Sequence, residues 1–313
     1  IIRDLKMRKT GIIYISHKME EVYTIPDQIT VLRDGASIAT WNTKEATNDM
    51  VVKAMVGREL TEQYPKRKVE IGDTILELKD FTQEGVFENI SFKLRRGEIL
   101  GLVGLVGAGR TETMQALFGI TKPDSGEVYL KGQKVEFKKP VDAIKNGLAY
   151  VTEDRKGEGL VLPMSIAHNI TLPSMKELSR KIFIKQKEEK DRVGKEITDL
   201  KVKTTSPNLA VKNLSGGNQQ KVVLAKWMLK NPDVIIFDEP TRGIDVGAKA
   251  EIYKLMNEFV AEGKAIIMIS SELPEAMGMS DRILVLSNHK MSGELSKNEF
   301  NQKSLMKLAM QHM

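Results

Sequence analysis

Two kinds of hydrophobic pattern share this chain. A strand is expected at Gln28-Ile-Thr-Val-Leu32, and short, largely apolar runs occur at Gly11-Ile-Ile-Tyr-Ile-Ser16, Glu98-Ile-Leu-Gly-Leu-Val-Gly104, Val234-Ile-Ile-Phe237 and Ala265-Ile-Ile-Met-Ile-Ser270. Runs of this length and composition predict strands buried on both faces. Thr74–Lys79 and Ile90–Leu94 alternate instead, as half-buried strands do, and Gly126–Gly132 predicts a hairpin arm. Helical spacing is expected near Thr113–Phe118 and Lys221–Leu229, and across the polar stretch Met175–Leu200.

The pattern also repeats at long range. Ala265–Glu275 and Asp281–Leu286 restate the run beginning at Gly11 and the strand ending at Leu32, at one offset: 271 − 17 = 254 and 281 − 27 = 254. A single distant repeat predicts duplicated domains rather than a solenoid. Residues 1–58 are therefore read as the C-terminal remnant of a first domain, with His17 facing Ser271 in the repeat. Residues 59–73 lack apolar period and are read as a linker, and residues 74–313 as a second domain.

Composition narrows the class only modestly. A chain of 313 residues that is 41% hydrophobic and 29% charged has ample length for a packed core. No apolar run approaches the length of a membrane-spanning helix, and the absence of cysteine rules out disulfides and thiolate chemistry. The net charge of +6 could serve an anionic membrane surface or nucleic acid. No basic groove studded with aromatics is visible, so nucleic acid is not the expected partner.

Three stretches carry chemistry. Gly104-Leu-Val-Gly-Ala-Gly-Arg-Thr-Glu112 joins a predicted strand to a predicted helix, the setting in which backbone N–H groups converge on phosphate. Asn213-Leu-Ser-Gly-Gly-Asn-Gln-Gln-Lys221 places Ser and paired Gly before a helix, again baring N–H groups to an anion. Val234–Phe237 delivers Asp238 and Glu239 at a strand's carboxyl end, where open α/β sheets bind ligands. One carboxylate there can hold a metal ion and the other can orient a water.

Together the last two stretches resemble the signature and acidic strand-end motifs of ABC-type ATPases. The wording Thr241-Arg-Gly-Ile-Asp-Val-Gly247 is similar to the monosaccharide-import branch, of galactose, methyl-galactoside or ribose type. The resemblance implies an α/β fold of P-loop ABC type. Its mixed core sheet would be flanked by helices, with an antiparallel β arm, a helical insert at about 160–211, and a partial copy in front.

It also implies ATP and Mg²⁺ as cofactors. Gly104, Gly107, Ala108, Gly109, Arg110, Thr111 and Glu112 would lie at the phosphates. Thr111 and Asp238 would hold the metal, and Glu239 would orient the attacking water. Ser215, Gly216, Gly217, Asn218, Gln219 and Asp245 would face a second ATPase domain. Glu153 would stand in the loop linking the catalytic core to the helical insert, Ser271 at the switch position, and His17 would be the switch residue of the first copy. Implied partners are transmembrane permease subunits, a paired ATPase domain within or between chains and, indirectly, an extracytoplasmic sugar-binding protein. The implied location is peripheral, at the cytoplasmic face of the membrane.

The chain departs from the family pattern at Arg110 for lysine, Glu153 for glutamine and Ser271 for histidine. Arginine's planar fork does not replace a compact ammonium, and a serine cannot carry an imidazole's charge. These departures predict a nucleotide site that binds more readily than it turns over. Competing readings are a soluble ABC-type ATPase acting on the ribosome or DNA, a non-hydrolysing regulatory module, and a nucleoside importer.

Overall fold

The computed structural model describes residues 1–16, 19–33, 36–47, 50–51, 54, 64–65, 69–180 and 183–312. His17 and much of the 59–73 linker lie outside them. The chain divides into two compact units: Ile1–Gln63 with Asp245–Ala250, and Tyr64–Ile244 with Glu251–Met313.

The larger unit is built on one ten-stranded sheet. Its strands are β3 (Thr74–Gln83), β4 (Phe87–Arg95), β5 (Ile99–Gly104), β6 (Ser125–Leu130), β7 (Gln133–Val135), β8 (Leu148–Val151), β11 (Val234–Asp238), β12 (Ala265–Ile269), β13 (Arg282–Ser287) and β14 (Lys290–Ser296). Their order is β7-β6-β3-β4-β14-β13-β5-β12-β11-β8. From β13 through β5, β12 and β11 to β8 the neighbours run parallel, while β3, β4, β6 and β7 form an antiparallel arm. The parallel strands β8, β11 and β12 are buried along their whole length, as their unbroken apolar sequences require.

This order sets β5, β12, β11 and β8 side by side, so their carboxyl ends form one continuous edge. The glycine-rich loop leaves β5 there and enters α3 (Arg110–Leu117). α9 (Val246–Ala261) and α10 (Leu273–Met279) follow the loops after β11 and β12. α4 (Pro140–Lys145) packs against β8, and α11 (Gln302–Ala309) against β13.

Between β8 and β11 the chain makes the expected helical insert, but not as one long helix. α5 (Ile166–Thr171) and α6 (Met175–Leu178) are short, and a two-stranded hairpin of β9 (Ser179–Arg180) and β10 (Phe183–Ile184) interrupts the polar stretch. α7 (Gln186–Asp199) completes it, and α8 (Gly216–Met228) follows with the signature stretch at its start. The charged composition on either side hides that break, and β10 itself, Phe183-Ile184, is apolar but exposed, so it carries no burial pattern.

The smaller unit holds α1 (Ile2–Met7), α2 (Met19–Thr24) and a hairpin of β1 (Gln28–Arg33) and β2 (Ala36–Asn42). Ile29, Val31, Ala46 and Val51 make its small core. The hairpin repeats β13–β14 residue for residue: 282 − 28 = 254 and 290 − 36 = 254, with the register slip at Val31/Leu32 in one and Val285/Leu286 in the other. The expectation of a buried strand at Gly11–Ser16 is corrected. That run forms no strand, and Ile13 and Ile15 are 94% and 91% exposed. A strand needs neighbours, and none pairs with it among the described residues.

Candidate functional site

The phosphate loop is shaped by backbone conformations that favour glycine. Gly107 and Gly109 have φ of 80° and 92°, and a Cβ on Gly109 would stand 2.9 Å from the Val86 carbonyl oxygen. Gly109 is also the N-cap of α3, so no side chain occupies the helix's first N–H groups. Those donors are left for an external anion, and the helix dipole favours one.

Opposite them stand the two acids. The Thr111 hydroxyl donates to Asp238 Oδ1 at 3.1 Å, and the Tyr150 hydroxyl donates to Oδ2 at 2.7 Å. Asp238 is fully buried, and burial pushes its carboxyl up to about 6 despite those two hydrogen bonds. The Ser271 hydroxyl donates to Glu239 Oε2 at 3.0 Å, and Arg110 Nη1 lies 4.0 Å from Oε1. Burial raises the Glu239 carboxyl as well. Arg110 Nη1 also donates to the Ser270 carbonyl at 3.1 Å. Two desolvated carboxylates thus stand side by side with one guanidinium near Glu239, an arrangement that favours arrival of a further cation. Asp238 and Thr111 offer the hard oxygen donors that Mg²⁺ takes.

The signature stretch is held differently. Ser215 caps α8 through its backbone conformation, and its hydroxyl accepts from Asn218 Nδ2 at 3.1 Å. Asn218 Oδ1 in turn accepts from Lys203 N at 2.8 Å, and Gln219, buried, donates to the Val211 carbonyl. These two side chains brace the insert, and no side-chain cap takes the first N–H groups of α8, donors of the kind that can receive an anion. Among the described residues, no hydrogen bond or ion pair joins Ser215–Gln219 to the phosphate loop.

Residues 87–242 match the model of the ABC transporter family. The chain belongs to that family. It is 53% identical over 309 residues to the ribose import ATP-binding protein RbsA of Bacillus licheniformis, covering 99% of this chain and 63% of that protein. Its identity to the RbsA of Bacillus subtilis is 52%, with the same coverage of 99% and 63%. The chain therefore spans less than two thirds of these relatives. Among solved structures, an ATP-binding cassette of an ABC transporter in its ADP conformation aligns with TM-score 0.64 at 18% identity, over 75% of this chain and 98% of that one. A dimeric cassette bound to ADP and Pi aligns with TM-score 0.61 at 21% identity, over 71% and 99%. At these identities the likeness speaks for the fold.

Within the ABC domain, the structure gathers Arg110, Thr111, Asp238, Glu239 and Ser271 at adjoining strand ends. Gly104 and Ala108 are packed in the loop's base, and Glu112 is exposed in the first turn of α3. Glu153 is ion-paired with Arg242, and Asp245 accepts from Ala248 N at 2.9 Å, capping the start of α9. His17 lies outside the described residues.

Three contributors escaped the sequence reading. Tyr150 holds Asp238; its signal was a phenol inside a buried apolar run, which needs a partner for its hydroxyl. Glu275, 1% exposed, accepts from Ser270 Oγ at 2.5 Å, Thr241 Oγ1 at 2.6 Å and Tyr253 OH at 2.8 Å, fixing the loop that carries Ser271. Arg155 reaches two carbonyls in the loop after β11. Neither of these last two has a spacing signal: the partners of Glu275 lie 5, 22 and 34 residues away and those of Arg155 87 and 88, at no common period.

Proposed function

We propose that this chain is the greater part of the ATP-binding subunit of a monosaccharide importer, with ribose as the cargo class, and that ATP hydrolysis energises import. The observation that carries the reading is the Thr111–Asp238–Glu239 constellation set against the bare N-terminus of α3. The ribose-import names of relatives at 52–53% identity supply the cargo.

Phosphoryl transfer to water asks mainly for positioning and charge neutralisation. Gly107, Gly109 and Arg110 hold phosphates, and Thr111 and Asp238 hold Mg²⁺, which supplies charge neutralisation at the phosphate oxygens. Tyr150 orients Asp238, and Glu239 orients the attacking water. Ser215, Gly216 and Gly217, with Asp245, close on a nucleotide held by a second ATPase domain. Closure then moves membrane permease subunits, which receive sugar from an extracytoplasmic binding protein, with the chain at the cytoplasmic membrane face.

Residues 1–58 are, in this reading, the end of a first ATPase domain, followed by a linker at 59–73 and the second domain at 74–313. The shared 254-residue offset of the two hairpins, including their common register slip, supports it. The site at Gly104–Thr111 binds nucleotide and turns it over slowly, because Arg110 is tied to Ser270 and Ser271 offers Glu239 only a hydroxyl. The site completed by Ser215–Gly217, with His17, is the faster one.

The test is ATP binding and hydrolysis by this chain with and without Mg²⁺. Binding with little turnover is expected. Brisk Mg²⁺-dependent turnover abolished by Glu239→Gln would reverse the assignment of the two sites.

A further inference from the structure

The loop that follows β8 begins Glu153-Asp154-Arg155-Lys156-Gly157, and the structure builds it as an anchored arm. Asp154 Oδ1 accepts from Lys156 N at 3.1 Å and Gly157 N at 3.0 Å, closing a tight turn over Arg155–Gly159. The far end is pinned to α8, whose buried Lys226 Nζ donates to the Gly159 carbonyl at 2.6 Å. Both ends being fixed, the Arg155 side chain is the part that reaches outward.

It reaches the neighbouring loop. Arg155 Nη1 donates to the Arg242 carbonyl at 2.8 Å and Nη2 to the Gly243 carbonyl at 3.0 Å. The same pair of loops is joined in the opposite sense by the Glu153 carboxylate on the Arg242 guanidinium. Because β8 and β11 are adjacent parallel strands, the clasp closes directly across their carboxyl ends. The guanidinium also lies against the start of α8: a Cβ on Gly216 would stand 2.9 Å from Arg155 Nη2 and 3.3 Å from the Gly243 carbonyl oxygen. One planar fork therefore touches the loop after β8, the loop after β11 and the first turn of the signature helix.

We propose that Arg155 is a positioning residue for the composite nucleotide site. It holds the signature N–H groups at Gly216 and Gly217 and the Arg242–Gly243 backbone as one piece, so that both meet a nucleoside triphosphate carried by the second ATPase domain together. This rests on the function proposed above. Two carbonyls on successive residues demand two donors at fixed spacing, which a guanidinium supplies and an ammonium does not. The group acts through the backbone it holds and touches no reacting atom. Its loss costs alignment of the closed state rather than capture of nucleotide.

The test uses Arg155→Ala and Arg155→Lys in the intact protein, with steady-state kcat and KM for MgATP, the melting temperature, and amide hydrogen exchange over 215–219 and 240–245. Both variants are expected to lower kcat by about tenfold with KM held within about threefold, the signature of an interaction made on closure. Lysine should fail as alanine does, because charge alone does not span both carbonyls. Exchange should quicken in both segments together while the melting temperature stays near that of the parent. A kcat within about twofold of the parent in Arg155→Ala overturns the proposal, as does full rescue by lysine. Unchanged exchange in the two segments also overturns it, and that measurement reads the clasp even in a protein that hydrolyses nothing. Absence of turnover in the parent would instead count against the proposed function.

Discussion

Gly11-Ile-Ile-Tyr-Ile-Ser16 and Ala265-Ile-Ile-Met-Ile-Ser270 are nearly the same peptide, yet only the second is a strand. Ile266 and Ile267 are 0% and 1% exposed, paired to β11 on one side and β5 on the other. Ile13 and Ile15 have no ladder partner among the described residues. The hairpins make the same point in finer detail. Leu32 and Leu286 occupy equivalent positions after the same register slip, and they are 72% and 0% exposed. β-propensity is thus a statement about available neighbours, and what the hairpin keeps without them is only its local register.

The largest expected effect breaks this comparison most directly. Ile267→Asp places a carboxylate in the middle of a buried parallel strand and should cost about 4 kcal/mol or more, unfolding the larger unit. Ile13→Asp should shift stability by no more than about 0.5 kcal/mol. Urea unfolding of the two variants beside the parent decides it. A loss at Ile13 matching that at Ile267 would mean the first run is buried in solution.

A second contrast concerns the residues just after the two runs, His17 and Ser271. On the proposed division of labour, His17→Ala in the intact protein should lower ATP turnover by about 100-fold, while Ser271→Ala should stay within about threefold. The Ser271 hydroxyl makes one hydrogen bond to Glu239 and carries no proton chemistry of its own. Equal losses in the two variants would erase the distinction between the sites.

What the sequence made legible follows from the same physics. β5, β11 and β12 were readable because strands buried on both faces must be apolar throughout. The grouping of Thr111, Asp238 and Glu239 was readable because each stands where a strand ends or a helix starts. The state of Gly11–Ser16 was not, since identical propensity permits either outcome. Arg155 and Glu275 were not readable either, because a clasp onto backbone carbonyls or a buried carboxylate among hydroxyls leaves no periodic trace. Glu153 shows the limit of reasoning by position: the resemblance sets it where a glutamine is expected, and its observed partner is Arg242.

Burial of the larger unit's strand ends should also be visible in titration. Asp238 rises from its ordinary 3.8 to about 6, chiefly through burial. The native chain then holds a proton there more tightly than the unfolded chain. Stability from this group is present below about pH 3.8 and is lost as pH climbs towards 6. Asp238→Asn in Mg²⁺-free buffer should therefore gain about 1–3 kcal/mol at neutral pH, and that gain should shrink away at acid pH. A variant no more stable than its parent at pH 7.5 would mean the hydrogen bonds from Tyr150 and Thr111 outweigh the cost of burial.

The smallest effect sharpens the comparison at the hairpin turns. β13 and β14 are joined by a two-residue loop, Asn288-His289, with φ of 43° and 71°. Positive φ at both central residues marks the turn whose twist suits paired strands, and it favours Asn-Gly or Asp-Gly. The equivalent positions 254 residues earlier are Asp34 and Gly35, outside the described residues but of the favoured composition. His289 therefore bears left-handed strain that a glycine at its place would not, and it is offset by the imidazole Nδ1 contact to the Val86 carbonyl at 2.6 Å. His289→Gly removes a strain of about 1 kcal/mol together with a hydrogen bond of similar worth, so the net change in stability should stay below about 1 kcal/mol. A loss well above that would show that the ring does more than balance the turn. Its Nδ1 lies 3.5 Å from where a Cβ on Gly109 would stand, so the excess would measure how far the second hairpin braces the phosphate loop.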